Sequence, residues 1–228
     1  MKALKQIFPR SIYRTISNHR TWSRSLEKDR WLKQHHPATL EAKHVQHTQV
    51  LPSRLELLKQ LPPGSICAEV GVAEGDFSRA ILNVVKPAKL FLIDLWSSNL
   101  ERYSKSFELA SQAVESEIQS GVAEIRRGWS WDMIASLENE SLDWIYIDAA
   151  HDYESVVRDL QAALPKMKAT SWITGHDYTR WSSVGINRWG VVEAVNEFCI
   201  EHDWEFRYLT NETHQHVSYA IAPMNANH

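Results

Sequence analysis

The chain lacks most of the features that would set it apart from ordinary globular proteins. It has only two cysteines, Cys67 and Cys199, far apart and without metal-type spacing. That excludes a disulfide framework and points to buried thiols in a reducing, cytoplasmic compartment. No apolar run approaches the roughly 18 residues needed to span a bilayer. Excess charge is missing too: the formal net charge of -3 gives no reason to expect nucleic acid as a partner of the whole chain. There is no internal repeat and no low-complexity tract. At 228 residues the chain suits one α/β domain with an N-terminal extension and is too short for two full domains. Glycine is sparse as well, with eight in all, which gives weight to the pair that falls in one short stretch, Gly71 and Gly75.

That stretch is S-I-C-A-E-V-G-V-A-E-G over residues 65–75, followed by a helical pattern opening at Asp76. An apolar run that ends in an acid and two glycines reads as a strand turning sharply into a helix. Such a turn leaves backbone N–H groups and a carboxylate at the crevice. The rest of the chain alternates in the same way. Strands are expected over 65–71, 89–94, 123–127, 142–148 and 171–175, and helices over 77–85, 103–120, 153–164 and 191–202, with a short helix after residue 131. Strands over 204–210 and 217–222, joined by a short polar loop, close the chain as an antiparallel hairpin at one edge. The expected fold is α/β: a Rossmann-like, doubly wound, mostly parallel seven-stranded sheet with helices on both faces.

Residues 1–50 differ from the domain expected over 51–228. Lys2, Lys5, Arg10, Arg14, Arg20 and Arg24 all precede the first acid, Glu27, and Ile7, Phe8, Ile12, Tyr13 and Ile16 make a rough helical stripe interrupted by Pro9. Three readings stay open for this basic arm: peripheral contact with an anionic membrane or a protein partner, an organelle transit segment, or a solvated extension packed on its own domain. His35, His36, His44 and His47 are irregularly spaced and read as surface before metal site. A short amphipathic helix is expected over 51–61, stopped by Pro62-Pro63-Gly64.

In open α/β sheets, ligands bind beyond the carboxyl ends of the strands. Here those ends carry Glu69 and Gly71, Asp94, the segment from Gly128 through Trp129 and Ser130 to Trp131, Asp148 with His151, and His176 with Asp177. Asp94 lies 19 residues after Gly75, where a carboxylate can accept both hydroxyls of an adenosine ribose. That suits NAD and S-adenosyl-L-methionine alike. The loop discriminates between them, because it reads E-x-G-x-x-x-G, lacking one glycine of the dinucleotide fingerprint and adding Glu69 and Glu74. Carboxylates repel a pyrophosphate and favour a sulfonium and an ammonium, so the charge pattern favours the methyl donor. Ten tryptophans are the compositional oddity; those near strand ends suit either core packing or stacking on an adenine or a sugar.

Four segments, A68-E-V-G-V-A-E-G75, L92-I-D-L95, I145-Y-I-D-A-A-H-D-Y-E-S-V-V-R-D-L160 and I173-T-G-H-D-Y178, resemble class I S-adenosylmethionine-dependent methyltransferases. The nearest branch is that of small-molecule O-methyltransferases related to macrolide-sugar and catechol enzymes. The resemblance covers residues 50–222. It implies direct methyl transfer to a hydroxyl of a small molecule or a sugar, assisted by a divalent cation. It places that cation, Mg²⁺ or another, on Asp148, Asp177 and His176. Because imidazole is a poor Mg²⁺ ligand, His176 either shifts the preference toward a transition metal or is no ligand, and then joins His151 as a candidate general base. The resemblance places the adenine near Gly128, Trp129 and Ser130. Tyr178, Trp181 and Arg188, with Asn187, are expected as substrate wall. Two other readings compete: an NAD(P)-dependent oxidoreductase, and a non-catalytic binding module of the same fold. A homo-oligomer is compatible with all three.

Overall fold

The computed structural model describes residues 38–96, 105–182, 188–212 and 216–224. Residues 1–37 of the basic arm, His35 and His36 included, and Asn187 lie outside the described residues. Eight strands form one sheet in the order β1-β7-β8-β6-β5-β2-β3-β4. They are β1 (Gln49–Leu51), β2 (Ile66–Val70), β3 (Lys89–Asp94), β4 (Ala123–Arg127), β5 (Leu142–Ile147), β6 (Met167–Gly175), β7 (Trp204–Thr210) and β8 (Tyr219–Pro223). The helices are α1 (Arg54–Leu58), α2 (Asp76–Val84), α3 (Ser106–Ala113), α4 (Glu115–Gln119), α5 (Ser130–Ala135), α6 (Tyr153–Ala163) and α7 (Val191–His202). All pairings are parallel except those of β8 with β6 and β7.

The seven expected strands are present, and an eighth lies outside the hairpin. β1 pairs parallel to β7 through Gln49–Tyr208 and Leu51–Thr210, so the boundary expected between residues 50 and 51 runs through a strand. Pro52 explains why the helix expected over 51–61 starts late. A proline disfavours the helical conformation in the residue before it, which leaves Leu51 extended. Ser53 then caps α1, its Oγ accepting from the Glu56 N–H. The long helix expected over 103–120 is broken at Val114 (φ -125°, ψ 24°), whose side chain is fully buried. Residues 103 and 104 fall outside the described residues.

Strand alternation sends successive side chains to opposite faces. Ala68, Val70, Ile145, Ile147, Ile173 and Ile221 face α5, α6 and α7, packing with Ile134, Val156, Leu160 and Phe198. Cys67, Leu90, Leu92, Trp144, Tyr146 and Ala220 face α1, α2 and α3, packing with Leu57, Leu58, Ile81 and Val114. Each fully buried aliphatic side chain contributes on the order of 1.5–3 kcal/mol of transfer free energy. Two dry layers of this kind fix the sheet and with it the positions of the strand ends. Both cysteines are free and buried. Among the described residues no helix is long and apolar enough to cross a membrane.

Candidate active site

The carboxyl ends of β2, β3, β4 and β5 open into a cavity of about 350 Å³, lined by Gly71, Ala73, Ile93, Asp94, Leu95, Trp129, Ser130, Trp131, Asp148, Ala149, Ala150 and Ser155. Its floor is the turn from β2 to α2. Gly71 has φ 93°, and a Cβ there would fall 1.9 Å from the carbonyl oxygen of Asp148, so only glycine lets the ends of β2 and β5 approach. Asp94 organises the turn: Oδ2 accepts from the Ala73 N–H at 2.9 Å and Oδ1 from the Trp96 N–H at 2.8 Å. Each oxygen keeps a second lone pair for a ligand hydroxyl. The Trp96 indole N–H donates to the Ala73 carbonyl and ties the turn from the other side. Trp129 and Trp131 stack at 5.0 Å on the far wall, and Arg158 lies over the Trp131 ring at 5.1 Å.

Of the residues expected to touch a cofactor, Gly71, Asp94, Trp129 and Ser130 line the cavity, whereas Glu69, Gly75 and Gly128 do not. Gly75 starts α2 and packs on Ala110 and Ala113; Gly128 packs on the Met133 side chain. Glu69 corrects the charge argument made from the sequence. It lies on the Cys67 face of β2, beneath α2, where its Oε2 accepts from the Ser78 hydroxyl at 2.5 Å. Burial raises its pKa from 4.5 to about 8, with the Ser78 hydrogen bond opposing the shift. Glu69 therefore anchors α2 and does not present a free charge to a sulfonium.

A second group adjoins the cavity through Asp148. His151 Nε2 lies 2.6 Å from Asp177 Oδ2 and 3.6 Å from Asp148 Oδ1. The closer approach is a partly buried ion pair. His176 Nδ1 and His216 Nδ1 both meet Asp177 Oδ1, at 2.9 and 2.8 Å. Asp148 Oδ2 faces His176 Nδ1 at 3.8 Å and Arg54 at 4.0 Å. Asp177 takes the left-handed conformation (φ 59°) that aspartate tolerates better than most residues, and this aims its carboxylate back across the strand ends. Burial disfavours charge on both His151 and Asp177, but their mutual attraction outweighs it. His151, also paired with Asp148, is raised to about 9, and Asp177, also paired with His176, is held well below the usual carboxylate range.

The His151 ring stacks on Trp189 at 4.5 Å, and the edge of Trp189 meets His216 at 4.8 Å. The His151 carbonyl accepts from the Gly190 N–H at 2.7 Å, which pins the start of α7 to the loop carrying His151. Two of these residues escape a reading of the sequence: Arg54 and His216. For His216 the signal is topological. Because β8 runs antiparallel to β6, residues just before β8 lie beside those just after β6.

The atoms able to hold a cation come from Asp148, His151 and Asp177, all within 4.8 Å of one another. In this group His151 stands where His176 was expected. His176 turns only Nδ1 toward the group, bonded to Asp177, and its Nε2 is buried in the protein without a hydrogen-bond partner. Tyr178, expected as substrate wall, is half-buried and packs against the core. Its hydroxyl donates to Asn196 at 2.6 Å and its ring packs on Phe206 and Tyr219. Trp181 and Arg188 pair as an antiparallel bridge next to Trp189. His44 is buried and accepts from the Glu41 N–H, while His47 pairs with Glu205, so neither forms a metal group.

Residues 68–178 match the family model described as a methyltransferase domain. The match and the fold together support a class I S-adenosylmethionine-dependent methyltransferase. In fold the chain is similar to many solved structures, among them the following three. An S-adenosylmethionine-dependent methyltransferase from Aquifex aeolicus is 14% identical, with a TM-score of 0.54 over 73% of this chain and 87% of that one. The m1A22 tRNA methyltransferase of Bacillus subtilis is 15% identical, with a TM-score of 0.54 over 77% of this chain and 68% of that one. Spermidine synthase from Thermotoga maritima is 16% identical, with a TM-score of 0.53 over 76% of this chain and 59% of that one. No curated protein sequence matches the chain.

Proposed function

We propose that the protein moves a methyl group from S-adenosyl-L-methionine to a hydroxyl of a small molecule or a sugar. The observation that carries this reading is the double position of Asp148: it is on the wall of the cavity and also a member of the group formed with His151 and Asp177. A donor lying with its ribose on Asp94 and its adenine between Ser130 and the Trp129–Trp131 wall has its methionine end toward Gly71 and Asp148. An acceptor entering over His151 and Trp189 then meets it there. The S–CH₃ bond breaks as the O–CH₃ bond forms, the hydroxyl proton leaves to the enzyme, and S-adenosylhomocysteine is released. The donor is already activated, so the chain supplies orientation and charge placement.

Each residue has a physical role in that reaction. Asp94 fixes the ribose and the turn together. Asp148, on the cavity wall, is placed to hold the hydroxyl and give its proton a destination, because a carboxylate beside a reacting hydroxyl favours its deprotonation. Of the two expected imidazoles, His151 is the more exposed and lies against Trp189, so it is the one on the acceptor side. The residues present fit a divalent cation, with two carboxylates and a buried nitrogen converging. Asp148, His151 and Asp177 would hold it. When bound, such an ion lowers the pKa of a coordinated hydroxyl. The net charge of -3 supports a small acceptor over RNA.

Calorimetry of the full chain with S-adenosylhomocysteine and with NAD tests the cofactor. The homocysteine product is expected to bind and NAD not. Asp94→Ala, which removes the ribose acceptor and frees two turn N–H groups, is expected to weaken binding by about 100-fold, or roughly 2.7 kcal/mol. Absence of binding by the homocysteine product sinks the reading. Labelled methyl donor with a cell extract, followed by identification of the product, tests the acceptor: a label on carbon, nitrogen or RNA replaces the hydroxyl proposal.

A further inference from the structure

Arg54 has no part in methyl transfer between Asp94 and Asp148, yet its guanidinium stands at the edge of the same site. Its neighbours fix its place. Ser53 caps α1 just before it, and its own backbone N–H donates to Glu212 Oε1 at 2.8 Å. The guanidinium lies over the Phe77 ring at 4.6 Å, and Phe77 packs on Tyr146 of β5 with ring centroids 4.4 Å apart. Arg54 Nη1 then faces Asp148 Oδ2 at 4.0 Å, beyond hydrogen-bond length. Asp148 lines the donor cavity and Arg54 does not, which puts the guanidinium on the acceptor side with His151 and His176. We propose that Arg54 binds an anionic group, a carboxylate or a phosphate, that the acceptor carries beside the hydroxyl to be methylated.

The charges around Arg54 carry the choice. Asp177 is already met by three imidazoles, His151 at Oδ2 and His176 and His216 at Oδ1. Asp148 faces His151, His176 and Arg54 at 3.6, 3.8 and 4.0 Å and bonds none of them closely. Glu212 turns its Oε1 to the Arg54 main chain and to the hydroxyls of Thr210 and Ser218. Glu69, whose pKa is raised to about 8 by burial, brings no full charge at neutral pH. The guanidinium also meets the Tyr146 hydroxyl, a neutral group that pairs with Ser218 Oγ at 3.2 Å. Among the described residues no carboxylate thus comes within hydrogen-bond distance of the guanidinium, whose side chain is 23% exposed. A guanidinium is a planar fork that matches two oxygens of a carboxylate or phosphate, and stacking on Phe77 holds that plane. Asp148 by itself would repel an acidic acceptor; Arg54 beside it offsets that repulsion. The inference rests on the reading that a hydroxyl is methylated next to Asp148, and it names the class of acceptor within that reading.

The test uses the full chain, labelled with ¹⁵N-arginine and saturated with S-adenosylhomocysteine. The probes are glucuronate, glucose 6-phosphate and glucose, which share a hydroxylated ring and differ in charge. NMR follows the Arg54 Nε–H signal, assigned by its loss in Arg54→Gln. At least one acid is expected to shift that signal saturably and to bind about tenfold or more tightly than glucose, and the acid that does so identifies the anion. Arg54→Gln is expected to remove the preference, and Arg54→Lys to retain part of it. Binding of neither acid, equal binding of glucose, or a preference that survives in Arg54→Gln overturns the proposal. Calorimetry separates the acceptor from the donor, whose methionine carboxylate offers the same chemistry. Arg54→Gln is expected to change the affinity for S-adenosylhomocysteine by less than about threefold, and likewise for 5′-methylthioadenosine, which lacks that carboxylate. A loss of about tenfold or more confined to S-adenosylhomocysteine gives Arg54 to the donor and overturns the proposal. The labelled product from the cell extract is expected to be a small acid, and a neutral product overturns the proposal too. Absence of S-adenosylhomocysteine binding by the unaltered chain sinks methyl transfer and this inference together; any failure above with that binding intact sinks the inference alone.

Discussion

A carboxyl group with 1% exposure and a single hydroxyl partner has no water to stabilise its charge, and Glu69 is such a group. Its ordinary pKa of 4.5 rises to about 8 in the fold, with burial the largest cause. Between those values the folded state binds more protons than the unfolded state. The favourable linkage is therefore complete at low pH and is lost as pH rises through the folded pKa. Glu69→Gln keeps the acceptor for Ser78 and removes the titration. The expected outcome is that wild-type stability falls relative to this variant between pH 5 and 8, by at most about 1.4 kcal/mol per pH unit. Urea denaturation of both proteins at several pH values measures it, and parallel curves would show Glu69 already ionised at pH 5. The sequence pattern places Glu69 at a strand end but not on a face; that depends on which side of the sheet α2 covers.

At the scale of elements, Gly190 shows how the acceptor side is assembled. A Cβ on it would fall 2.4 Å from the Tyr153 Cα, so the start of α7 rests directly on the start of α6. Gly190→Ala is expected to push the two apart at a cost of about 1–3 kcal/mol and to shift the loop bearing His151. Methyl transfer is then expected to fall about 100-fold, because small displacements of reacting groups are costly. Binding of S-adenosylhomocysteine, measured by calorimetry, is expected to stay nearly unchanged, since Gly71, Asp94 and Trp131 lie elsewhere. Loss of both together would place Gly190 in global folding instead. Strands β2 to β8 were legible because apolar runs ending in acids and glycines carry their own period and punctuation. β1 was not legible: three residues carry no period, and its pairing with β7 bridges distant parts of the chain. The same limit hides His216, which reaches Asp177 only through sheet order. It hides Tyr178 as well, whose place against the core depends on Asn196, Phe206 and Tyr219 rather than on its neighbours in sequence.

For the molecule as a whole, the segment from residue 38 to residue 53 joins the N-terminal side of the chain to the last strands of the sheet. Asn196 donates to the Ala38 carbonyl at 3.0 Å, the Thr48 hydroxyl donates to the Phe206 carbonyl at 3.0 Å, and His47 pairs with Glu205 at 2.8 Å. Glu205 is 2% exposed, and Arg207 is its other charged neighbour, at 2.9 Å. β1 covers the open edge of β7, a strand that would otherwise present unpaired backbone groups to other chains. Two truncated proteins isolate this contribution, one beginning at Ala38 and one at Arg54. The shorter is expected to be less stable by at least about 2 kcal/mol, since it loses three hydrogen bonds to buried or half-buried groups as well as the strand. It is also expected to self-associate through the bared edge. Thermal melts and light scattering at matched concentration measure both effects. Equal melting temperatures and equal scattering would mean that β7 closes the sheet alone and that the segment from residue 38 to 53 adds nothing to it. Arg54 is present in both proteins, so its approach to Asp148 at 4.0 Å does not contribute to the difference.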